Sequence, residues 1–552
     1  MDSKIASFLL KSLLERIDRN QIGVVSQHER HALVAALKAL QTMPDADPSA
    51  TFVDIPPPSA AIPPPLPDVT LVLDAIQTKE PVQPGLLMCL DFGTAMSKAF
   101  AAEGDAYVDL ALGQASGHSG YVLPSSVFIG EDGTAYFGQE AIDRSDILLN
   151  AGRARLDSIK SWLSLRSEGD LDSEVCVLKQ DVNPTQIRLT EGDLIRLYLA
   201  YLTDMSCVAL ASARGIGRYV KRRYARPCWI TERQTRWADR LMRTLLAEAQ
   251  ILADTFTGQW AGGISVDLLK AAIEQVKQLP EKPEYLIDAS VPEPVAVAAG
   301  AIGDTENMRD AYMVVDAGAG TTDFGLFVFT PGQNFNEPKL FQIPGSIHGF
   351  SQAGNRIDHL LRAYILQKEG VDTKDVTGSL IDSDMRLKIR VIKENLFRTK
   401  EVRYALRDGT TGTVRLDEFL SNNIVKKFSV VLENEFKKAL SAVDESWLRW
   451  LSMPGVKLNV ILTGGSSSLP MMRSLASGTI DVNGFRIERV KSEPRPDWIR
   501  DAPQELEVVY PQLAVAIGGA SREIPASFIG PASFAGGTRT TYASASISVP
   551  SH

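Results

Sequence analysis

The stretch of sequence that decides the fold is residues 312–323, which read YMVVDAGAGTTD. Four apolar residues typical of a buried strand lead directly into an aspartate and a turn with two glycines and two threonines. Glycine lets the backbone bend sharply and bring N–H groups against a ligand without an intervening Cβ, and threonine hydroxyls add donors. Alone, such a turn is typical of an ordinary hairpin.

Two other stretches repeat this pattern of an apolar strand followed by a glycine turn. Residues 86–97 read LLMCLDFGTAMS, and residues 460–470 read VILTGGSSSLP. Facing each other, the first two turns would hold a phosphate chain from both sides. Asp91 and Asp316 would repel bare phosphate, which predicts hydrated Mg²⁺ between them. The turns match neither the GxxxxGK[ST] phosphate loop nor the GxGxxG dinucleotide fingerprint.

Composition places the chain among globular α/β proteins. It has 552 residues, of which 44% are hydrophobic, and short apolar strands alternate with amphipathic helices from about residue 85 to residue 521. A net charge of -9 makes nucleic acid an unlikely ligand. The four cysteines are scattered, and no apolar run reaches the roughly 18 residues of a membrane span. We therefore expect a soluble, cytoplasmic protein that does not enter a membrane.

Both ends of the chain differ from this α/β region. Residues 1–43 carry two apolar stripes at helical spacing and predict a helical hairpin, whereas residues 44–84 predict a proline-rich linker. Residues 526–552 are rich in Ser, Ala, Gly and Thr and predict a flexible tail in which Phe528 could dock. Two helices this short are not stable alone, so we expect the hairpin or the linker to recruit a protein partner.

In this order, the three turns resemble the phosphate-1, phosphate-2 and adenosine motifs of the actin and seventy-kilodalton heat-shock protein ATPase superfamily. The resemblance covers residues 85–521. The lysine segment at 158–163 and the Glu293-Pro294 pair are closest to the heat-shock chaperones, whose peptide-binding domain we expect this chain to lack. Further segments that resemble the family are residues 121–138, 292–298, 354–358, 391–396 and 510–518.

The resemblance implies an α/β fold of two ribonuclease H-like lobes, which is the actin-like ATPase architecture. The ATPase domain should span residues 85–525, with lobe I at about 85–310 and 500–525 and lobe II at about 311–499. Such a domain binds ATP with Mg²⁺ in the cleft between its lobes and hydrolyses the ATP slowly. Closure of the lobes then acts as a switch for a partner.

The resemblance also implies roles for individual residues. Catalytic roles fall to Lys160, Glu293, Asp316 and Thr321. Metal-binding roles fall to Asp91, Asp316 and Asp323. Nucleotide contacts fall to Gly93, Thr94, Ala95, Gly318, Ala319, Gly320, Thr322, Gly354, Arg390, Lys393, Glu394, Gly464, Gly465, Ser466 and Ser468. A competing interpretation of Lys160 is a solvated surface lysine.

Three departures from the family pattern leave further functions open. Ala95 replaces a threonine of the first turn, Ala319 replaces a glycine of the second, and Ser468 replaces an arginine that packs on adenine. The first and the last favour a nucleotide-sensing binding module with little turnover. A small-molecule kinase would need an acceptor pocket that the sequence does not identify, and an actin-like filament protein would need to self-associate with ATP.

Overall fold

A computed structural model describes residues 65–104, 106–147, 153–165, 169–229, 231–302, 311–331, 338–493 and 495–528. The helical hairpin predicted for residues 1–43 and most of the proline-rich linker lie outside the described residues, as does the tail from residue 529 onward.

Up to residue 302, the described chain forms a six-stranded mixed sheet and a separate three-stranded sheet. The strands are β1 (Leu86–Asp91), β2 (Met96–Glu103), β3 (Ala106–Asp109), β4 (Leu123–Pro124), β5 (Val127–Ile129), β6 (Thr134–Phe137), β7 (Lys221–Arg226), β8 (Ile264–Ser265) and β9 (Ile287–Pro292). The three-stranded sheet consists of β5, β6 and β8. The helices are α1 (Asp74–Thr78), α2 (Leu112–Ala115), α3 (Gly138–Ile147), α4 (Ser161–Leu165), α5 (Glu191–Arg214), α6 (Glu232–Thr255), α7 (Val266–Gln278) and α8 (Glu293–Ala301).

The remaining elements belong mainly to a second mixed sheet. Its strands and those of a small hairpin are β10 (Ala311–Ala317), β11 (Thr322–Pro331), β12 (Pro338–Gln342), β13 (His348–Phe350), β14 (Glu401–Ala405), β15 (Thr411–Arg415), β16 (Leu458–Thr463), β17 (Gly478–Val482), β18 (Phe485–Ser492) and β19 (Ala526–Ser527). The helices are α9 (Gly354–Lys368), α10 (Val376–Thr399), α11 (Leu416–Ser421), α12 (Asn423–Ser441), α13 (Glu445–Leu451), α14 (Pro470–Arg473) and α15 (Gln504–Gly519).

The two large sheets share one strand order. The first runs β3-β2-β1-β7-β9, and the second contains β12-β11-β10-β16-β18. In each, the first three strands pair antiparallel. On the other side, β7 or β16 pairs in parallel with the central strand, and β9 or β18 pairs in parallel with β7 or β16. The central strands, β1 and β10, are buried on both faces, which is why their sequences are continuous apolar runs rather than alternating patterns. The α/β class predicted from the sequence is confirmed.

Helices α8 and α15 pack between the two sheets, in a core that contains residues of both. They cross at two glycines, where no side chain fits. A Cβ on Gly518 would overlap the carbonyl oxygen of Ala296, and a Cβ on Gly300 would lie 2.8 Å from the Cα of Gly518. The close crossing brings the N-terminal end of α8, with Glu293, near the turns that follow β1 and β10.

The linker predicted for residues 44–84 is wrong for its last part. Val69, Leu71, Leu73 and Ile76 pack against the first core, and Ala75 is fully buried. The backbone of this segment is also anchored, because Thr255 Oγ1 accepts the Val72 N–H at 3.1 Å and the Tyr285 hydroxyl donates to the Ala75 carbonyl at 2.7 Å. The apolar residues between Pro67 and Pro81 therefore pack into the fold and do not act as a linker.

The tail predicted for residues 526–552 also begins too early. Ala526–Ser527 forms β19, which pairs in parallel with β12. Phe528 is buried, as the sequence allowed, and its ring packs against Phe341 and Trp447.

One described helix, α5, is long and apolar enough by composition to cross a membrane, but 89% of its most apolar window is buried inside the fold. Its N-terminus is closed by Thr190, which accepts the Asp193 N–H, while the Asp193 side chain accepts the Thr190 N–H. Asp193 is fully buried between Lys270 and Lys277, each at 2.8 Å. These contacts identify α5 as a core helix.

Candidate functional site

A central pocket of about 480 Å³ lies where the turns after β1, β10 and β16 meet. It brings together residues from all parts of the α/β region. The predicted residues that line it are Asp91, Gly93, Thr94, Ala95, Lys160, Glu293, Asp316, Gly318, Ala319, Gly320, Thr321, Arg390, Lys393, Glu394, Gly464, Gly465, Ser466 and Ser468.

Three predicted residues do not line the pocket. The Thr322 hydroxyl is buried and donates to the Gln352 carbonyl at 2.8 Å, so it holds a loop rather than a ligand. Thr321 faces the pocket instead, because side chains alternate along an extended backbone. Gly354 lies beneath the third turn, where a Cβ would collide with Ser466 Oγ. Asp323 is fully buried and accepts the Cys228 N–H at 2.7 Å.

The first two turns approach each other directly. A Cβ on Gly320 would lie 2.7 Å from Thr94 Oγ1, so the second turn can reach the first only without a side chain at this position. Gly93 is equally confined, since a Cβ there would overlap the Met96 carbonyl. The backbones of both turns therefore lie close to the same part of the pocket.

The third turn is bound to the second. Ser466 donates its hydroxyl to the Gly318 carbonyl at 2.7 Å and its N–H to the Ala317 carbonyl at 2.9 Å. Gly464 has a φ of 84°, a left-handed conformation that disfavours side chains, and its N–H donates to Pro511 of α15. The three turns thus form one connected wall.

Four carboxylates converge beneath these turns, those of Asp91, Glu293, Asp316 and Asp323, and all four side chains are buried. Burial and the negative charges of Glu293 and Asp323 raise the pKa of Asp316 well above its usual value. Burial and Glu293 raise the pKa of Asp323 to about 7. The site therefore concentrates more negative charge than its own cations neutralise.

Two lysines partly compensate this charge. Lys160 is only 7% exposed, and its Nζ donates to Glu293 Oε1 at 2.7 Å. Burial lowers the pKa of Lys160, but the carboxylates of Glu293 and Asp91 outweigh burial, so the pKa is raised and the ammonium persists. Lys98 donates to Asp91 Oδ2 at 3.0 Å. Lys160 is thus not a solvated surface lysine.

The cluster fits a hydrated cation better than a bare one. Within the described ranges, no three His, Cys, Asp or Glu side chains stand at the spacing of direct metal ligands. The donors are carboxylate oxygens, which Mg²⁺ prefers, and Mg²⁺ usually keeps several of its waters. In addition, Asp323 Oδ2 is buried and has no hydrogen-bond partner in the part of the chain that the structure describes. Asp91, Asp316 and Asp323 could hold such an ion through water.

Asn355 links the lysine segment to the second turn. Asn355 Nδ2 donates to Ser158 Oγ at 3.2 Å, and the Asn355 N–H donates to the Ala319 carbonyl at 2.8 Å. Ser158 lies two residues before Lys160. The position of Lys160 is therefore tied to the turn that it faces.

Sequence reasoning missed several residues that line the pocket. Lys98 is opposite Asp91 in the β1–β2 register, so correct pairing of this hairpin would have found it. Arg473, at the end of α14, had no local signal. Eight other residues line the pocket without having been predicted in any role: Met96, Phe397, Arg398, Lys400, Leu469, Pro470, Gln512 and Val515.

No protein-family model matches the chain, and no curated protein sequence is significantly similar to it. Its function must therefore be inferred from the site.

Proposed function

We propose that this protein is an actin-like ATPase that binds Mg-ATP in the central pocket and hydrolyses it slowly, with closure of two lobes as the output. The observation that carries the proposal is the direct approach of two glycine turns, at Thr94 and Gly320, above a cluster of buried carboxylates. The repeated strand order of the two large sheets supports the two-lobed, ribonuclease H-like architecture. A pocket of about 480 Å³ also has room for a nucleotide.

The two turns would hold the phosphates. Gly93, Thr94, Gly320 and Thr321 line the pocket, and their backbone N–H groups and hydroxyls would serve as donors. Asp91 and Asp316 would bind hydrated Mg²⁺, and Asp323 would assist them from below. Bound there, the ion would neutralise phosphate charge and relieve the repulsion that raises the pKa of Asp316.

Lys160 and Glu293 would act on the terminal phosphate. The transition state of phosphoryl transfer spreads negative charge over the equatorial oxygens, and a fixed ammonium stabilises that charge more than it stabilises the ground state. Glu293, at the start of α8, would accept a hydrogen bond from the attacking water and orient it. The hydrogen bond between the two side chains fixes both before a ligand arrives.

The third turn would bind adenosine. Gly464, Gly465, Ser466 and Ser468 line the pocket, as do residues of α10 between 390 and 398. Lys393 is already bound to Asp358 at 2.9 Å, so we expect it to support the wall rather than to contact the nucleotide strongly. The ring of Phe397 and the guanidinium of Arg473 supply flat groups for the base.

A nucleotide sensor with little turnover is the second candidate, and one observation favours it. Lys160 and Glu293 neutralise each other at 2.7 Å, so both groups are engaged before substrate binds. In either case, a partner recruited by residues 1–43 or by the proline-rich segment would respond to closure. We also predict that the protein resembles the heat-shock ATPases rather than the filament-forming ones. The protein partner and the cytoplasmic location are likewise predictions.

Thermal unfolding tests the proposal. A ligand at a thousandfold above its Kd adds about 4 kcal/mol to the apparent free energy of unfolding. We expect millimolar Mg-ATP or Mg-ADP to raise the Tm by several degrees, and ATP with a chelator to raise it much less. An unchanged Tm with both magnesium nucleotides contradicts the nucleotide site. If they raise the Tm but ATP is not hydrolysed in a single-turnover assay, the protein is the nucleotide sensor.

A further inference from the structure

A second cavity, of about 170 Å³, lies against the Thr463–Ser468 loop on the side of α8 and α15. We call it the Tyr510 cavity. Its floor is apolar and is formed by Val297 and Ala301 of α8, Ile461 of β16 and Ala514 of α15. None of the roles proposed above requires this space.

The mouth of the Tyr510 cavity carries an excess of positive charge. Three cations line it, Arg473, Lys491 and Arg495. Lys491 pairs with Glu493, and Arg495 Nη1 lies 2.7 Å from Glu507 Oε1. Glu493 also lines the cavity, and its pKa is lowered mainly by Lys491, with Arg495 and Arg473 contributing. Arg473 makes no salt bridge with any described residue, so of the three cations it is the one without a direct carboxylate partner.

Tyr510 contributes a buried hydroxyl that lacks a hydrogen-bond partner among the described residues. Its side chain lines the cavity and is only 5% exposed. Burial raises the pKa of this hydroxyl, so it keeps its proton and remains a donor. A buried donor without an acceptor destabilises the fold, and such groups are rare enough to require an explanation.

We infer that the Tyr510 cavity is a binding site for a second small molecule, a compact apolar body that carries one carboxylate. An apolar cavity of about 150 Å³ accepts a benzene ring, so the available volume fits a ring or a branched chain of similar size. The carboxylate would interact with both side chains, because it can pair with the Arg473 guanidinium and accept a hydrogen bond from the Tyr510 hydroxyl.

This site goes beyond the proposed ATPase and does not depend on it. The two cavities do share a wall, because Ser468 and Arg473 line both. A carboxylate that pairs with Arg473 would hold its guanidinium away from the central pocket. Arg473 would then couple binding in the Tyr510 cavity to binding in the central pocket.

The test is titration of the full-length, nucleotide-free protein with benzoate, followed by ligand-observed NMR. Benzyl alcohol keeps the ring without the charge, and acetate keeps the charge without the ring. We expect saturable binding of benzoate that is at least tenfold tighter than that of either control compound. Because nucleotide is absent, failure of the ATPase proposal would not affect this result.

Substitutions of residues that line the Tyr510 cavity test whether benzoate binds there. Tyr510→Phe and Arg473→Gln should each weaken benzoate binding about tenfold, which corresponds to one charge-assisted hydrogen bond. Ala301→Leu should fill the floor and abolish binding. As a matched control, Tyr285→Phe removes a hydroxyl that does have a partner, so it should leave benzoate binding unchanged.

Stability provides an independent readout. Tyr510→Phe removes an unpartnered hydroxyl and should keep or raise the Tm of the free protein, whereas Tyr285→Phe should lower it. The inference is overturned if benzoate does not saturate, if it binds no more tightly than benzyl alcohol, or if Tyr510→Phe and Arg473→Gln leave its affinity unchanged. A drop in Tm for Tyr510→Phe equal to that for Tyr285→Phe also contradicts it, since the hydroxyl would then have a partner.

Discussion

The Nζ of Lys160 lies 2.7 Å from Oε1 of Glu293, and both side chains are buried although the residues are 133 positions apart in the chain. The contact joins the segment before α4 to the first residue of α8. It makes the ammonium a fixed group at the pocket wall, with little conformational freedom to lose when a ligand binds.

Lys160→Ala should reduce the rate of ATP hydrolysis more than it reduces nucleotide affinity. Loss of a well-placed charge in a transition state costs about 3 kcal/mol of barrier, or roughly a hundredfold in rate. Single-turnover hydrolysis and an equilibrium titration of the same variant measure the two effects separately. Lys457→Ala, at an exposed lysine before β16, is the matched control.

The same substitution leaves Glu293 buried without its partner and should lower stability. Adding Glu293→Gln to Lys160→Ala should recover part of that loss, because the second change removes the unpaired charge. Hydrolysis at the wild-type rate by Lys160→Ala would remove this lysine from the chemistry.

Stability of the ligand-free protein should fall as the pH rises from about 4 to about 7. The pKa of Asp323 is raised to about 7 in the folded state, above the unfolded value of about 3.9. The folded state therefore binds more protons in this window, and raising the pH costs it stability. Denaturant unfolding at pH 5 and 7.5, with a chelator present, measures the loss. Asp323→Asn should show a smaller loss, and an equal loss in both proteins contradicts the assignment.

Asn355→Ala should weaken Mg-ATP binding without changing the pocket lining. The Asn355–Ser158 hydrogen bond joins the segment that carries Lys160 to the turn after β10, and one such bond contributes about 1 kcal/mol, or roughly fivefold in an equilibrium constant. We expect up to a fivefold increase in Kd for Asn355→Ala. Ser158→Ala should have a similar effect, and the double variant should be no worse than either single one. Additive effects would show that the two residues act separately.

A truncated chain that starts at residue 65 should bind Mg-ATP as the full chain does, because the pocket-lining residues that the structure describes all fall between residues 91 and 515. Starting at residue 85 should lower the Tm, since it removes the buried side chains of residues 69–76. Both truncations should lose partner capture and any self-association that depends on residues 1–43. Equal Tm values for the two truncations would show that the packing of this segment contributes nothing.

The sequence predicted the α/β class and most of the pocket because their signals are local. A strand that ends in Asp-Gly turns is visible within a dozen residues, and most of the predicted residues line one pocket in the structure. Their chemical roles stay predictions. Thr322 was misplaced because the alternation of side chains, not residue type, decides which of two adjacent threonines faces the pocket.

Other features depended on contacts between distant parts of the chain. Residues 69–76 resemble a linker by their position after the prolines, and only Thr255 and Tyr285, far along the sequence, show that they are anchored. Arg473 enters the pocket because of the direction of α14, which no local pattern encodes. The hydrogen bond between Asn355 and Ser158 likewise requires both sheets to be in place.

Calorimetric titration of Mg-ATP into Asp316→Asn tests the central claim most directly. The substitution removes one of four crowded carboxylates, so the ligand-free variant should be at least as stable as wild type, while its Mg-ATP affinity should fall by more than tenfold. Asp481→Asn, at an exposed position of β17, should bind as wild type does. We predict saturable Mg-ATP binding by wild type and by Asp481→Asn. We predict that a well-folded Asp316→Asn loses this binding. Equal binding by all three proteins, or binding by none, would contradict a magnesium-nucleotide site in this pocket.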